Sequence, residues 1–355
     1  MKRIANTVDR AALVWHQQFR QITLNTSHGG PQMRAIRLEN IESPPLLRDI
    51  DTPRPERGQI TIDVAACGLN FADLLMMKGQ YQERPPLPAT LGMEISGTVR
   101  EVGADVRGFH AGQRVAAFTG LGGLAEVAVC PADRCIALPD TLSMTDAAGF
   151  LVAYGTSHLA LRHRAGLQPN ETLVVLGAAG GVGLTAVEIG VRIGARVIAV
   201  ARGQQKLQVA KDAGAAICLD SDTTDLRKAL KELGGVDVVY DAVGEPMATE
   251  ALRAMRPEGR FLAIGFAGGK VPQFPANILL VKNLTVIGLY WGGYLNFAPE
   301  TLTDSLAELL DWYVQGHLTP HVSHVLPFER ALDGFEMLRS RKSTGKVVIS
   351  IRDNA

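Results

Sequence analysis

The chain has 355 residues, of which 46% are hydrophobic and 20% are charged, so it is long enough for two globular domains with a soluble surface. Its 36 basic and 36 acidic side chains cancel, which argues against nucleic acid or an acidic membrane surface as a partner. No apolar run approaches the ~18 residues of a membrane span. The four cysteines form no CxxC pair and indicate a reducing compartment, so we expect a cytoplasmic protein.

Residues 1–32 differ in composition from the rest of the chain. They carry four basic side chains against the single acid Asp9. An arginine-rich, acid-poor start is compatible with an organellar transit segment, but we favour an upstream start codon or a disordered arm. This stretch is therefore predicted to be an N-terminal extension, with ordered structure beginning near Met33.

Residues 33–153 have the pattern of a β-rich domain. Gln59–Ala65 alternates apolar and polar side chains, which is the period of a half-buried strand, and Glu94–Val102 and Ala125–Val129 behave similarly. Glycines and prolines separate these segments densely. Many short strands joined by such turns predict a partly open barrel.

Strand-like and helical segments alternate after about Ala153. The predicted strands are Thr172–Leu176, Arg196–Val200, Ala216–Leu219, Val236–Tyr240, Arg260–Ile264 and Leu284–Tyr290. The predicted helices between them are Gly183–Ile193, Gln204–Ala213, Asp225–Leu233, with Thr223 or Thr224 as its N-cap, and Pro246–Met255. This alternation is typical of a doubly wound parallel sheet. The tail is predicted to hold helices at Leu302–Tyr313 and Glu329–Leu338 and a strand at Lys346–Ile351 that returns to the first domain.

A glycine-rich segment, Gly177–Gly183, joins the first strand of this unit to its first helix. Glycines there allow backbone to approach a pyrophosphate closely, and the helix N-terminus presents free N–H groups and partial positive charge. The strand–loop–helix context is that of a dinucleotide-binding motif. We therefore predict that phosphates contact Ala179, Gly180, Gly181, Val182 and Gly183.

The end of the second strand favours NADPH over NADH. An NAD-dependent enzyme usually places an acid there to hold the ribose 2′-hydroxyl, but Val200–Lys206 contains none. Arg202 and Lys206 are instead placed to meet a 2′-phosphate; the alternative is that both are solvated surface cations. A charge-assisted hydrogen bond contributes about 1.5–3 kcal/mol, so two of them would favour NADPH by about a hundredfold or more.

With these features the chain resembles the medium-chain dehydrogenase/reductase superfamily, and within it the zinc-free quinone oxidoreductase branch that includes zeta-crystallin. The matching segments are Gly92–Val99, Gly112–Val115, Ala153–Ser157, Ala179–Gly183 and Thr344–Val347. The resemblance implies an α/β protein with a GroES-like, partly open β-barrel catalytic domain over 33–153 and 291–355. It also implies a Rossmann NADP-binding domain over 154–290.

The positions that hold zinc in related alcohol dehydrogenases differ in this chain. Asn70 stands in place of a cysteine ligand, and Met93 stands in place of a histidine. Zinc prefers cysteine, histidine or carboxylate ligands in a tetrahedral set, so no metal is predicted. Cys67 is expected to be a buried packing residue, and the three histidines between 317 and 324 are expected to be a loop cluster without a metal.

The resemblance further implies two catalytic residues. The Asn70 amide would donate to the substrate oxygen or hold the nicotinamide ribose. Tyr81 would hydrogen-bond the same oxygen or relay a proton, unless it is only a wall of the pocket. A second tyrosine found in the family is replaced by Leu75, which suggests a more apolar pocket. Further cofactor contacts implied by the resemblance are Tyr154, Gly244, Ile264, Gly265, Phe266, Leu289, Tyr290 and Lys346.

These observations predict NADPH-dependent reduction of quinones or α,β-unsaturated carbonyl compounds by hydride transfer. Conjugation in such substrates spreads the negative charge that zinc would otherwise stabilise. The alternatives are an enoyl-thioester or enone reductase of the same superfamily, a non-catalytic NADPH-binding protein of the crystallin kind, and a zinc alcohol dehydrogenase. The apolar segment Leu284–Tyr290 resembles the family's dimer edge, so a homodimer is expected.

Overall fold

A computed structural model of the chain describes residues 30–41 and 43–352. The first 29 residues of the predicted N-terminal extension lie outside the described residues. The described strands form a three-stranded, a six-stranded and a seven-stranded sheet. Within the described ranges no helix is both long and apolar enough to cross a bilayer.

The first part of the chain is dominated by strands, as predicted. Its elements are β1 (Gln32–Leu38), β2 (Leu46–Asp51), β3 (Gln59–Gly68), α1 (Phe71–Met77), β4 (Ala89–Thr90), β5 (Glu94–Val102), β6 (Arg114–Phe118), β7 (Val127–Pro131), β8 (Cys135–Ala137) and α2 (Met144–Ala148). A 3₁₀ turn at Ala132–Arg134 joins β7 to β8.

The middle of the chain alternates strands and helices. Its elements are α3 (Leu151–His158), which continues as a π-helical turn over Leu159–Arg164, β9 (Thr172–Leu176), α4 (Gly181–Ile193), β10 (Arg196–Ala201), α5 (Gln204–Asp212), β11 (Ile217–Asp220), α6 (Leu226–Glu232), β12 (Val236–Asp241), α7 (Met247–Ala254), β13 (Met255–Ala263), α8 (Ala276–Lys282) and β14 (Thr285–Gly288).

The tail adds three helices and two strands. They are α9 (Tyr294–Phe297), α10 (Pro299–Val314), β15 (Val322–Pro327), α11 (Ala331–Arg339) and β16 (Lys346–Ser350), with 3₁₀ turns at Trp291–Gly293 and Phe328–Arg330.

The middle sheet has the strand order β11-β10-β9-β12-β13-β14, and every pair in it is parallel. This is the doubly wound order, and it confirms the predicted fold class. The predicted N-cap of α6 is wrong: the helix begins at Leu226, so Asp225 is the capping residue and its carboxylate accepts from the Lys228 N–H at 2.9 Å. The helix α8, which precedes β14, was not predicted from the sequence, because its segment ANILLVK shows no polar face.

The seven-stranded sheet has the order β15-β16-β3-β5-β6-β8, with β7 also paired to β3. Antiparallel pairing sets Ile62 opposite Val99 and Cys67 opposite Ile95. The tail strand β16 pairs with the end of β3, so the tail returns to the seven-stranded sheet. The first sheet and the tail thus form one structural unit, while the exact domain limits stay a prediction.

An apolar core joins the two units. Buried side chains of the first domain, such as Met93 and Phe118, belong to the same cluster as Tyr240 and Leu262 of the parallel sheet. Burial of apolar surface at about 25 cal/mol per Å² makes such a shared core a strong tie between the domains. The cleft between them is therefore held in a defined geometry.

The tail also contacts the glycine-rich loop directly. The Gly345 N–H donates to the Ala179 carbonyl at 2.8 Å, and Gly345 forms an isolated β-bridge with Gly180. Gly345 has φ +54°, and a Cβ there would lie 2.2 Å from the His321 carbonyl oxygen. Only glycine fits this position, which brings the following residue, Lys346, beside the loop.

Candidate active site

The glycine-rich loop has the geometry that a phosphate needs. The helix α4 begins at Gly181, so its free N–H groups face the end of β9. A Cβ on Gly183 would lie 2.1 Å from the Gly177 carbonyl oxygen, so the loop can fold this tightly only with glycine there. Below it, the Ser157 hydroxyl bonds the Val182 carbonyl at 2.8 Å. The predicted residues 179–183 therefore lie together as a rigid cradle suited to a pyrophosphate.

Three cations meet at the end of β10. Arg202 is exposed and forms an ion pair with Asp222 at 3.1 Å. The Lys206 ammonium donates to the Arg341 carbonyl at 2.6 Å. Burial, followed by the positive charges of Arg202 and Arg341, lowers the pKa of Lys206. Such a cluster gains by binding an anion, which fits a ribose 2′-phosphate.

Arg341 was missed by sequence reasoning. It lies far along the chain from β10, just after α11, and only the docking of the tail brings it to the cluster. Its guanidinium donates to the Ala267 carbonyl at 2.6 Å, which holds the tail against the loop after β13. No local pattern around Arg341 signals this position.

Six further predicted cofactor contacts lie at the carboxyl ends of β12, β13 and β14, where open α/β sheets bind ligands. They are Gly244, Ile264, Gly265, Phe266, Leu289 and Tyr290. Asp241 shapes the turn after β12, because its carboxylate accepts from the Val243 and Gly244 N–H groups, each at 2.8 Å. A Cβ on Gly244 would lie 2.4 Å from the Lys270 carbonyl oxygen. Together with the loop and the cations, this edge fits a dinucleotide carrying a 2′-phosphate.

Asn70, Glu94 and Lys346 form a buried polar centre next to the loop. The Lys346 ammonium lies 2.6 Å from Glu94 Oε1, 2.9 Å from Asn70 Oδ1 and 2.8 Å from the Leu69 carbonyl oxygen. Glu94 is fully buried, and its second oxygen accepts from the Val152 N–H at 3.0 Å. An ammonium has three donors, so all three of Lys346 are used inside the protein.

The Asn70 amide is also fully used. Its Nδ2 donates to Glu94 Oε1 at 2.9 Å and to the Gly68 carbonyl at 3.3 Å. In this arrangement Asn70 orients the ammonium and the carboxylate, and neither amide hydrogen is left for a substrate. Its expected hydrogen bond to a substrate oxygen therefore stays a prediction.

The stem of Lys346 links this centre to the cofactor loop. A Cβ built on Gly149 would lie 3.1 Å from the side-chain carbons of Lys346, and one built on Gly181 would lie 3.3 Å from them. The aliphatic stem of Lys346 therefore packs tightly between the end of α2 and the start of α4. Lys346 therefore lies beside the loop, and its charged end is directed to Asn70 and Glu94. Its contact with the cofactor stays a prediction.

The residues around Asn70 do not fit a zinc ion. An ammonium carries no lone pair, and an amide is a poor zinc ligand. Cys67 is fully buried and packs beside Gly92 and Gly123. Over residues 30–41 and 43–352 no group of three or more histidine, cysteine or acidic side chains is arranged to hold a metal.

Tyr81 and Tyr290 meet across the cleft. Their rings pack edge to face with centroids 6.3 Å apart. The Tyr290 hydroxyl donates to the carboxylate of Glu83, which lies in the same loop as Tyr81. Burial and then the charge of Glu83 raise the pKa of Tyr81 to about 12. Tyr81 therefore remains a hydrogen-bond donor at neutral pH. Glu83 was not predicted from the sequence.

Tyr154 is one of the buried residues among the predicted cofactor contacts. It is buried, its ring stacks on Phe150 at 4.5 Å, and its hydroxyl donates to Glu188 at 2.6 Å. Together with Gly181 and Lys346 it lines a groove of about 510 Å³ behind the loop. Because its hydroxyl is already bonded, any cofactor contact would involve its ring or backbone, and this contact stays a prediction.

Comparison with known proteins places these features in one family. Residues 56–140 match the model of the alcohol dehydrogenase GroES-like domain, and residues 181–312 match that of the zinc-binding dehydrogenases. The chain is 40% identical to quinone oxidoreductase-like protein 2 of Bos taurus over 91% of its own length and 94% of that protein.

Two solved structures extend the similarity to the whole fold. The Thermus thermophilus quinone oxidoreductase, solved alone and with NADPH, has a TM-score of 0.80 and 34% identity and covers 90% of this chain and 100% of its own. The Escherichia coli quinone oxidoreductase complexed with NADPH has a TM-score of 0.80 and 30% identity and covers 90% of this chain and 99% of its own. The chain therefore belongs to the medium-chain dehydrogenase/reductase superfamily, in its quinone oxidoreductase branch, and is an oxidoreductase of that superfamily.

Proposed function

We propose that the protein uses NADPH to reduce quinones or related α,β-unsaturated carbonyl compounds without a metal. The observation that carries this proposal is the cluster of Arg202, Lys206 and Arg341 at the end of β10, a strand end that in NAD enzymes usually carries an acid. The NADPH complexes of the two solved relatives support the same cofactor.

The site suits a substrate that is already electron-poor. When bound, NADPH supplies a hydride to the substrate carbon. The centre at Asn70 offers an ammonium that is fully bonded within the protein, so it does not replace zinc as a Lewis acid. The Tyr81 phenol is a donor beside the cleft, and its raised pKa keeps it protonated. One hydrogen bond suffices where conjugation already spreads the charge on the substrate oxygen.

The test is a substrate panel with matched coenzymes. NADPH and NADH are each assayed with 1,4-benzoquinone, 9,10-phenanthrenequinone and a simple enone, and also with an enoyl thioester. We expect turnover of the quinones or the enone, with NADPH preferred. Turnover restricted to the thioester would favour the enoyl-thioester reductase alternative. Tight NADPH binding without turnover of any acceptor would favour the non-catalytic alternative, and one tightly held zinc per chain would favour the alcohol dehydrogenase.

We also propose a homodimer formed along β14. This strand is the outer strand of the parallel sheet, and an unpaired edge invites association. The preceding helix α8 has no buried residue, and its Leu280 and Val281 are 76% and 77% exposed. Sedimentation velocity should show a dimer for the wild type and a monomer for Val281→Asp. The control Val314→Asp, at an exposed position at the end of α10, should remain dimeric. A monomeric wild type would refute the proposal.

The cysteines support a location in a reducing compartment. All four are free thiols, and Cys67, Cys130 and Cys135 are buried. Because free thiols persist where glutathione keeps them reduced, we propose that the protein works in the cytoplasm. Recovery of the protein in an organelle fraction after cell fractionation would contradict this.

A further inference from the structure

The loop between α1 and β4 carries a carboxyl group that the proposed function does not use. Glu83 is half-buried in this loop, two residues after Tyr81. Its carboxylate accepts the hydroxyl hydrogen of Tyr290, which comes from the end of the parallel sheet. The contact therefore joins a loop of the first domain to the end of the parallel sheet.

The side chains of Tyr81, Tyr290 and Glu83 contact one another in series. The rings of Tyr81 and Tyr290 are in edge contact with centroids 6.3 Å apart, and the Tyr290 hydroxyl donates to Glu83. Tyr81 packs against the apolar cluster that contains Phe118 and Trp291. Glu83 is half-buried between the exposed Gln82 and Arg84, so we take Tyr81 as the inner end of the series and Glu83 as its outer end.

We propose that Glu83, Tyr290 and Tyr81 form a proton relay that delivers a solvent proton to the reduced substrate. This inference rests on the proposed function, because it supplies the proton that hydride addition to a quinone or enone requires. Reduction by hydride leaves a negative charge on the substrate oxygen. The relay neutralises that oxygen without a metal and without opening the cleft to water.

The proton and bond balance is simple. The O–H bond of Tyr81 breaks and its proton forms a new O–H bond on the substrate. Tyr81 is then reprotonated by the Tyr290 hydroxyl, and Tyr290 by the carboxyl group of Glu83. Water at the exposed side of the loop returns a proton to Glu83. Each cycle consumes one proton from solvent, and the two electrons arrive with the hydride.

The electrostatics of Glu83 favour this role. Burial raises its pKa, while the hydrogen bond from Tyr290 and the charge of Arg134 lower it, and the net direction is upward. At a given pH, the protonated fraction of Glu83 is therefore larger than that of a glutamate side chain in water. When Glu83 holds a proton, its hydrogen bond to Tyr290 reverses and the carboxyl becomes the donor that the relay needs. Asp73 is the other acid whose charge acts on Tyr81.

The test compares Glu83→Gln with Glu83→Asp and with Gln82→Ala, an exposed neighbour that lies outside the relay. Glutamine keeps the shape of the side chain but cannot give up a proton. We expect Glu83→Gln to lower kcat by about tenfold or more with little change in the KM for NADPH. If the relay operates, kcat of the wild type should fall as rising pH deprotonates Glu83, and Glu83→Gln should remove that fall. Glu83→Asp should restore that fall in part, and Gln82→Ala should behave as wild type.

Two further measurements separate the relay from a structural role. Tyr290→Phe keeps the ring contact but breaks the relay, so it should reproduce the loss in kcat, and combining it with Glu83→Gln should add little. Infrared difference spectra of wild type minus Glu83→Gln should show a protonated carboxyl band that persists above the ordinary titration range of glutamate. An unchanged kcat–pH profile in Glu83→Gln, while the wild type turns over, would refute the relay alone. A wild type that reduces none of the acceptors would refute the proposed function itself.

Discussion

Replacing Lys346 by methionine tests the buried polar centre most directly. Methionine keeps the length of the stem between Gly149 and Gly181 but removes the ammonium. Glu94 would then be a fully buried carboxylate without the partner that lies 2.6 Å from it. Asn70 would lose the donor to its Oδ1 at 2.9 Å. The variant therefore leaves charge and polarity unmatched while changing little in volume.

The expected magnitude follows from the burial of both partners, since Lys346 and Glu94 side chains are 8% and 1% exposed. Breaking a buried ion pair by removing one partner costs about 3–5 kcal/mol, because an uncompensated charge remains. A chain of 355 residues unfolds with an entropy of about 0.75 kcal/mol/K near the transition, at about 2.1 cal/mol/K per residue. The variant should thus lower Tm by about 4–7 °C.

The assay is thermal unfolding of Lys346→Met, Glu94→Gln and the double variant. In the double variant no buried charge is left unpaired, so its loss of stability should be smaller than the sum of the two single losses. The matched control is the exposed pair of Arg339 and Glu336, whose N–O distance is 2.7 Å, and Arg339→Met should barely change Tm. Strictly additive effects of Lys346→Met and Glu94→Gln would refute the coupling.

Further predictions concern the cofactor edge and the core. Arg202→Ala and Arg341→Ala should each raise the KM for NADPH by about tenfold to a hundredfold and barely change the KM for NADH. Each variant removes one charge-assisted hydrogen bond to the phosphate, worth about 1.5–3 kcal/mol. Equal effects on both coenzymes would refute phosphate recognition. Gly183→Ala should abolish NADPH binding measured by fluorescence, because its Cβ would lie 2.1 Å from a loop carbonyl oxygen, and retained affinity would contradict this. Burial lowers the pKa of His158 to about 4, so between pH 6.5 and 4 the folded state binds fewer protons than the unfolded state. The free energy of unfolding should therefore fall as the pH drops through this range, by at most about 3 kcal/mol. In urea titrations His158→Gln should lessen this fall, and an identical pH profile would refute the assignment.

The parallel sheet could be predicted from the sequence because its signals are local. Strands covered on both faces appear as continuous apolar runs, and β9 was predicted with the bounds Thr172–Leu176 that the structure shows. The antiparallel part was harder. Strand β2 is mostly exposed and shows no alternation of buried and exposed residues, so no apolar pattern marked it. Helix α8 lacks the polar face that a periodicity argument requires.

The candidate site likewise contains residues that the sequence could predict and residues that it could not. The loop at residues 179–183 could be found because one short motif contains all of its chemistry. Arg341 and Glu83 could not, because each acquires its role from a contact made far away in sequence. Arg341 reaches Lys206 only through the tail, and Glu83 reaches Tyr290 only across the cleft. Long-range placement of this kind leaves no periodicity or spacing in a single sequence.

The tail connects three parts of the site that a Rossmann sheet alone would leave independent. Arg341 lies at the proposed 2′-phosphate cluster, Gly345 bonds the loop carbonyl of Ala179, and Lys346 reaches the centre at Glu94. All three lie within six residues of chain, so a shift of this segment would move all three contacts together. Ligand binding at one of them should therefore stabilise the contacts at the other two, because all three belong to one short segment. It follows that a change such as Gly345→Ala, which forces the tail off the loop, should weaken coenzyme binding and the Lys346–Glu94 pair at once.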